Sequence, residues 1–350
     1  MKKILIITGF LLNIAIFIYP LSTVEEFQKI TQWNHGDKGF FKGIDDPLID
    51  DFGHLVLPIG GKIGTFIISQ KDALLFAPFG QGPSDISLLM ATCHFQNDIA
   101  FLEYPQKIKI FTSKENTYVW KETKWLKQEY YSILAKDMLY INDQWVLGGY
   151  FLLKEDTHKE FAEMVKVYNN KGKPIKALIK REFPSPNRNR DMDSYLTTYD
   201  GRIFFMLENE LKVYEISAAQ MKVKKEIALT VPTFYKKMPA DFYKFKRYTD
   251  DKEYHLDYEK WKTAYSRITR VTVEDGYLVL QIRTPGKDQK KFAMLFYTLD
   301  NFELKHTLPI DDYFLGARNG VYYFYKNGNP GYDEGTDECI IQLYSFREKK

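Results

Sequence analysis

Six turn residues, each set just before a strongly β-prone run, constrain this chain more than any other feature. Gly53 precedes HLVLPIG, Asp98 precedes IAFLEY and Asp143 precedes QWVLGGYF. Gly201 precedes RIFFMLE, Gly276 precedes YLVLQIR and Gly320 precedes VYYFYKNG. Asn-Gly and Asp-Gly ahead of alternating apolar residues are strong hairpin signals, because the tight turns that join twisted strands need positive φ. The intervals between the six anchors are 45, 45, 58, 75 and 44 residues. Three agree within one residue, and the other two read as the same unit carrying insertions. A period of this length matches a four-stranded propeller blade. Aromatic residues make up 16% of the chain, which suits half-buried pleated surfaces.

The internal parts of each unit agree. The second unit supplies SLLMATCHF, IAFLEY, KIKIFT and TYVWKE as four successive strands, and the fifth supplies ITRVTV, YLVLQIR, KFAMLFYTL and FELKHTL. The sequence therefore predicts an all-β, six-bladed β-propeller with four-stranded blades. The last unit stops after its third strand, CIIQLYSF. Residues 26–45 are expected to supply the missing fourth strand, closing the ring and leaving no open sheet edge between the chain ends.

The stretch ALLFAPFGQGPSDIS, residues 73–87, fits this scheme as architecture. The outermost strand of blade one must be followed by the innermost strand of blade two, so the chain has to cross from rim to axis. Gly80 and Gly82 are expected to allow unusual backbone angles there, Pro83 to stop the outer ladder, and Asp85 to bond local N–H groups. A phosphate loop would need a helix directly after the glycines and a Lys-Ser/Thr pair, and neither follows.

The Gly80-Gln81-Gly82-Pro83 turn, between the first two predicted blades, resembles the G-x-G-P-G-E motif of exported bacterial six-bladed β-propeller proteins related to NHL-repeat proteins. Ser84 and Asp85 stand where that group carries Gly and Glu. The resemblance spans roughly residues 45–348 and implies fold and export rather than an activity.

The N-terminus, MKKILIITGFLLNIAIFIYPLSTVEE, places two lysines ahead of an apolar run from Ile4 to about Leu21. Residues 1–23 are expected to be a signal peptide or an uncleaved signal anchor, with the body exported in either case. Residues 24–350 are expected to form one propeller domain. The membrane is expected to be touched only through such an anchor. The formal charge of +3 falls to +1 without Lys2 and Lys3, which offers nucleic acid no clustered basic face. The basic run KGKPIKALIKR, residues 171–181, reads as a solvated strand face.

Two insertions account for the long intervals. REFPSPNRNRDMDS, residues 181–194, has no apolar period and reads as a surface loop. In residues 232–266, Tyr254, Tyr258, Trp261 and Tyr265 fall at helical spacing, with Asp250 or Asp251 as a cap and Phe242 and Phe245 ahead of it. A short helical insertion before blade five is expected, packed against a blade, with an aromatic ligand lid as the other reading. The resembling group carries similar insertions there.

Chemistry is harder to read. Candidate ligand-binding residues on or near the innermost strands are His94, Asp137, Tyr195, Arg270, Tyr313 and Arg318. This mixture suits a polar or anionic ligand at a channel mouth. No G-x-S-x-G elbow, His pair at metal-binding spacing or C-x-x-C is present. The acidic stretch NGNPGYDEGTDE, residues 327–338, lacks the spacing of an EF-hand loop and reads as a solvated hairpin tip. The function expected is an exported, monomeric binding or scaffold protein that recognises a protein, peptide or glycan, with no cofactor. A metal-assisted lactonase- or lyase-type enzyme at the central channel is the alternative. Cys93 and Cys339 are expected as separate buried thiols, because they fall in blades too far apart for a disulfide.

Overall fold

The computed structural model describes residues 26–35, 44, 46–59, 63–127, 130–153, 161–182, 193–239, 263–286, 291–326 and 339–347. They form six four-stranded antiparallel sheets. Blade 1 contains β2 (Leu48–Ile49), β3 (Leu55–Ile59), β4 (Gly64–Ile68) and β5 (Ala73–Pro78). Blade 2 contains β6 (Leu89–Phe95), β7 (Asp98–Glu103), β8 (Lys107–Lys114) and β9 (Thr117–Trp125). Blade 3 runs from β10 (Tyr130–Ile141) through β11 (Gln144–Leu153) and β12 (Phe161–Asn169) to β13 (Pro174–Glu182). Blade 4 runs from β14 (Ser194–Tyr199) through β15 (Arg202–Leu207) and β16 (Lys212–Ser217) to β17 (Lys222–Ala228). Blade 5 runs from β18 (Arg267–Glu274) through β19 (Tyr277–Arg283) and β20 (Phe292–Thr298) to β21 (Leu304–Ile310). Blade 6 takes β22 (Tyr313–Arg318), β23 (Val321–Tyr325) and β24 (Ile340–Arg347) from the C-terminal end and β1 (Glu26–Asn34) from the N-terminal end.

The expected closure is thus present: β1 pairs antiparallel with β24, with Phe27 opposite Phe346 and Trp33 opposite Ile341. Trp33 is buried, 5.8 Å from the Tyr323 ring, and Phe27 lies among Tyr322, Phe324 and Tyr344. Five of the six hairpin anchors have the positive φ that the sequence predicts; at the sixth, Asp98, it falls two residues earlier, on Gln96 at 57°. Asn142 and Asp143 have φ of 51° and 57°, and Asp275 and Gly276 have 51° and 78°. Positive φ at both central residues is the turn whose twist matches the flanking strands.

Burial explains the hydropathy pattern. Strand β7 is buried along its whole length, because a blade interior touches neighbouring blades on both faces. Outermost strand β21 alternates between intermediate and exposed positions, one face against a neighbour and one in water. Six apolar clusters lie one at each blade interface, so the ring is held by blade-to-blade packing all the way round. Between blades 2 and 3, for example, the rings of Phe95 and Trp145 stack 5.1 Å apart. Cys93 and Cys339 are buried and separate, at the 2/3 and 6/1 interfaces.

The rim-to-axis turn is built as architecture, for a different reason from the one expected. Neither Gly80 nor Gly82 has positive φ. A Cβ at Gly80 would lie 2.2 Å from the Asp85 carboxylate, and one at Gly82 2.8 Å from it. Asp85 folds back over the turn and accepts the Gly82 N–H at 2.8 Å. Beneath it, the buried Lys109 ammonium donates to the Gly82 carbonyl at 2.8 Å and to the Asp85 carbonyl. The buried Glu103 carboxylate accepts the Ser87 N–H and pairs with Lys107 at 2.7 Å.

The expected helical insertion needs correction. Among the described residues no helix forms an element, and only Thr263 and Ala264 have helical backbone. Residues 232–239, inside the expected insertion, are a turn and irregular chain: Tyr235 N–H bonds the Pro232 carbonyl, and the Tyr235 ring is buried against blades 4 and 5. Pro232 and Pro239 interrupt any helical ladder at this end. The aromatic repeat from Tyr254 to Trp261 lies outside the described residues, as do residues 183–192 and 327–338 of the other two loops.

Candidate functional site

The innermost strands β2, β6, β10, β14, β18 and β22 surround the propeller axis, and two chambers lie along it. One, where the inner strands begin, has a volume of about 390 Å³ and is called here the entry chamber. The other, of about 340 Å³, lies toward the ends of the same strands and is called the turn chamber. Asp46, Asp137, Tyr195 and Arg270 line both and form a polar septum between them.

Strand irregularities aim several of these side chains. Register shifts fall between Leu89 and Ala91, Ala135 and Asp137, Ile268 and Arg270, and Phe314 and Gly316. Three are near the start of an inner strand and the one at Lys136 is midway along β10, and at each one residue is left unpaired. Such bulges re-aim neighbouring side chains. The skipped residues Met90, Lys136 and Thr269 line the entry chamber, and Asp137 and Arg270, just past their bulges, reach the septum.

The septum is a set of bonds between blades. The Arg270 guanidinium, on blade 5, donates to Asp46 at 2.9 Å and to the Pro47 carbonyl ahead of blade 1. Asp46 accepts the Thr92 N–H of blade 2 at 2.5 Å and the Thr92 hydroxyl at 2.9 Å. Asp137, on blade 3, accepts the Leu196 N–H of blade 4 at 2.6 Å and the Met138 N–H at 2.7 Å. Inner-strand edges face the axis with no further strand to pair, so carboxylates here satisfy N–H groups that would otherwise have no partner. Burial pushes the Asp137 carboxyl well above the usual carboxylate range, and the like charge of Asp46 adds to that. Burial works against the Arg270 charge, but Asp46, Tyr313 and Asp137 around it together outweigh the loss and the guanidinium is held charged.

All six sequence-predicted residues lie on inner strands along the axis, and each is engaged by a neighbouring strand. The Tyr195 hydroxyl donates to the Ile268 carbonyl at 3.0 Å, and the Tyr313 hydroxyl to the Thr269 carbonyl at 3.2 Å. Arg318, in the turn chamber, pairs with Asp51 and donates to His94 Nε2 at 2.8 Å. His94 therefore accepts through Nε2, and burial, with the Arg318 charge next, lowers its pKa. Blade 1 has an inner strand of only two residues, and Arg270 and Arg318 both anchor the chain around it.

Sequence reasoning missed the groups that give the entry chamber its character. On one side, blades 3 to 5 contribute Lys136, Asp193, Glu208, Arg267 and Arg283. Lys136 lies 3.3 Å from Asp193, and Arg267 lies 3.4 Å from Glu208. Glu208 also accepts the Asp193 N–H at 3.0 Å. Its pKa is pushed up to about 7, first by burial, which outweighs the opposing Arg267 charge. On the other side, blades 1 and 2 contribute Ile44, Leu88, Leu89, Met90 and Tyr104, followed by Leu134 at the start of blade 3. Leu88 is 61% exposed and Tyr104 53%, and they stand adjacent, the Tyr104 N–H bonding the Leu88 carbonyl. No sequence spacing marks either half, because each is assembled from short runs on different blades that only the closed ring brings together.

Among the described residues no three His, Cys, Asp or Glu side chains converge as metal ligands. The carboxylates nearest the axis are engaged by Arg270 and by backbone N–H groups.

The sequence matches no protein-family model and no curated protein. Solved structures give the fold. A Bacteroides fragilis protein described as exported superposes with a TM-score of 0.57 at 12% identity, over 93% of this chain and 95% of that one. A luciferin-regenerating enzyme reaches 0.49 at 9% identity over 90% and 95%. The PQQ-bound aldose sugar dehydrogenase of Streptomyces coelicolor reaches 0.49 at 10% identity over 92% and 99%. At these identities the likeness is one of fold alone, and the chain is a six-bladed β-propeller.

Proposed function

We propose that this chain is an exported propeller that binds a peptide or glycan at the mouth of the entry chamber. The observation that carries the reading is a chamber of about 390 Å³ whose wall combines paired charges with two large exposed apolar residues, Leu88 and Tyr104. A concave site with few, well-placed polar groups beside apolar surface is the common form of a ligand site. Export is supported by Lys2, Lys3 and the apolar run from Ile4 to about Leu21, and by the likeness to an exported protein. The turn chamber is the weaker candidate, because Arg318, His94 and Asp51 there are bound to one another. Binding is favoured over metal-assisted turnover by the lack of a converging donor set among the described residues.

Thermal-shift screening against peptide and glycan panels should find ligands. The double variant Leu88→Asp/Tyr104→Ser should lose them while melting within a few degrees of wild type. Binding that survives the double variant would place the ligand elsewhere. N-terminal sequencing of protein from the cell envelope should show whether residues 1–23 are removed.

A further inference from the structure

A net charge near zero hides a local concentration of lysines on the outer rim. Residues 169–181 contain five basic side chains and no acidic one. They form the β12–β13 turn and most of β13, the outermost strand of blade 3, where Lys171, Lys173 and Lys176 are exposed. The fold extends this run on both sides with residues distant in sequence. Toward blade 2, the Lys127 N–H bonds the Gly172 carbonyl at 2.8 Å, and a Cβ on Gly172 would lie 2.2 Å from the Trp125 carbonyl. Lys127 and Trp125 therefore sit against the turn that carries Lys171 and Lys173. Toward blade 4, Lys176 Nζ donates to the Gln220 carbonyl at 3.2 Å, and Lys224 Nζ to the Gln220 side-chain oxygen at 2.7 Å. That brings in β17 with Lys222 and Lys224, both exposed. Six exposed lysines from three blades make one arc. The carboxylates beside it are already taken, Glu226 by Lys212 at 3.3 Å and Glu215 by Lys225 at 3.4 Å. Among the described residues none of the six lysines is in an ion pair. Two apolar side chains stand in the same arc, Trp125 at 64% exposure and Ile175 at 47%.

We propose that this arc docks the exported protein on an anionic lipid surface, independently of what the entry chamber binds. Lysines on turns and outermost strands, side by side and without carboxylate partners, match a sheet of negative charge. A single small anion needs donors that converge on it, and these do not. The apolar pair decides between a bilayer and a linear polyanion. A polyanion satisfies the lysines and leaves Ile175 in water, whereas the headgroup region takes both an indole and a branched alkyl group beside ammonium ions. Screening confines the attraction to about 10 Å, so a molecule with little net charge is still oriented by the one face where its cations gather.

Co-sedimentation of residues 24–350, which contain every strand of the ring, with phosphatidylcholine vesicles holding about 30% phosphatidylglycerol tests this. Binding should be at least ten-fold tighter than to pure phosphatidylcholine, and should fall at least ten-fold between about 0.05 M and about 0.5 M NaCl. Lys127→Gln/Lys171→Gln/Lys173→Gln should weaken it at least ten-fold. Lys29→Gln/Lys71→Gln/Lys291→Gln makes the same charge change at exposed positions on blades 6, 1 and 5 and should weaken it less than three-fold. Trp125→Ser/Ile175→Ser should weaken it at least five-fold. Equal binding to the two kinds of vesicle, or equal losses in the two lysine triples, overturns the proposal. Binding to heparin or duplex DNA without binding to vesicles also overturns it and gives the arc to a polyanion.

Discussion

At the scale of single residues, buried charges decide more here than exposed ones. Lys109 is 3% exposed and its ammonium holds two carbonyls of the rim-to-axis turn while lying 3.6 Å from the buried Glu103 carboxylate. Burial lowers its pKa, so the charge is kept only by these partners. Breaking a buried pair from one side leaves an uncompensated charge, and Lys109→Met should cost about 3 kcal/mol in urea unfolding. Glu208 gives a pH signature. Its folded pKa of about 7 lies above the ordinary 4.5, so the folded state binds a proton that the unfolded state has released between those values. Stability from this group is therefore complete below pH 4.5 and is lost as pH rises through 7. Unfolding curves of wild type and Glu208→Gln from pH 4 to 8 should diverge over that window, with wild type losing ground to the variant as pH rises. Parallel curves would mean that Glu208 is ionised throughout.

At the scale of elements, the inner-strand bulges link sequence to site. Opposite the bulge at Lys136, Gly149 has a φ of 152°, and a Cβ there would lie 2.2 Å from the Leu134 carbonyl. The strand can keep its irregular register only if this position has no side chain. Gly149→Ala should cost several kcal/mol, because backbone must move and the left-handed angle is strained. Gly201 also has positive φ, 69°, but open space around it, so Gly201→Ala should cost only about 1 kcal/mol. Thermal melts of the two variants separate close approach from φ alone. Equal losses would show that the bulge is not pinned by Gly149. The same lesson applies to the Gly80–Asp85 turn, where the glycines make room for a carboxylate and do not supply unusual angles.

At the scale of the whole molecule, stability depends on closing the ring. Blade 6 is completed only by β1, and its Phe27 and Trp33 enter the packing at the two flanking blade interfaces. Removing residues up to Asn34 should open a sheet edge and expose apolar surface on both sides, lowering the melting temperature by more than 10 °C or causing aggregation. An unchanged melt would show that three strands suffice for blade 6. In the denatured, unreduced protein, thiol titration should find two reactive groups, from Cys93 and Cys339.

The sequence by itself determined the architecture. Turns with Asn-Gly and Asp-Gly need positive φ, second strands buried on both faces read as unbroken apolar runs, and a missing last strand calls for one from the other end. These are local demands, legible one residue or one strand at a time. The axis was partly legible: an inner strand can be recognised, so His94, Asp137, Tyr195, Arg270, Tyr313 and Arg318 could be placed near it. Their bonding to neighbouring blades could not be read, because the partners of Arg270 lie 223 and 224 positions away and that of Asp137 lies 59 away. Tertiary structure alone decided that Asp46, Glu208 and Arg267 share the axis, and that apolar and charged groups divide between its two sides. That wall is drawn from short runs on several blades, such as Leu88–Met90, Leu134–Asp137 and Arg267–Arg270, and no single run contains enough of it to leave a pattern.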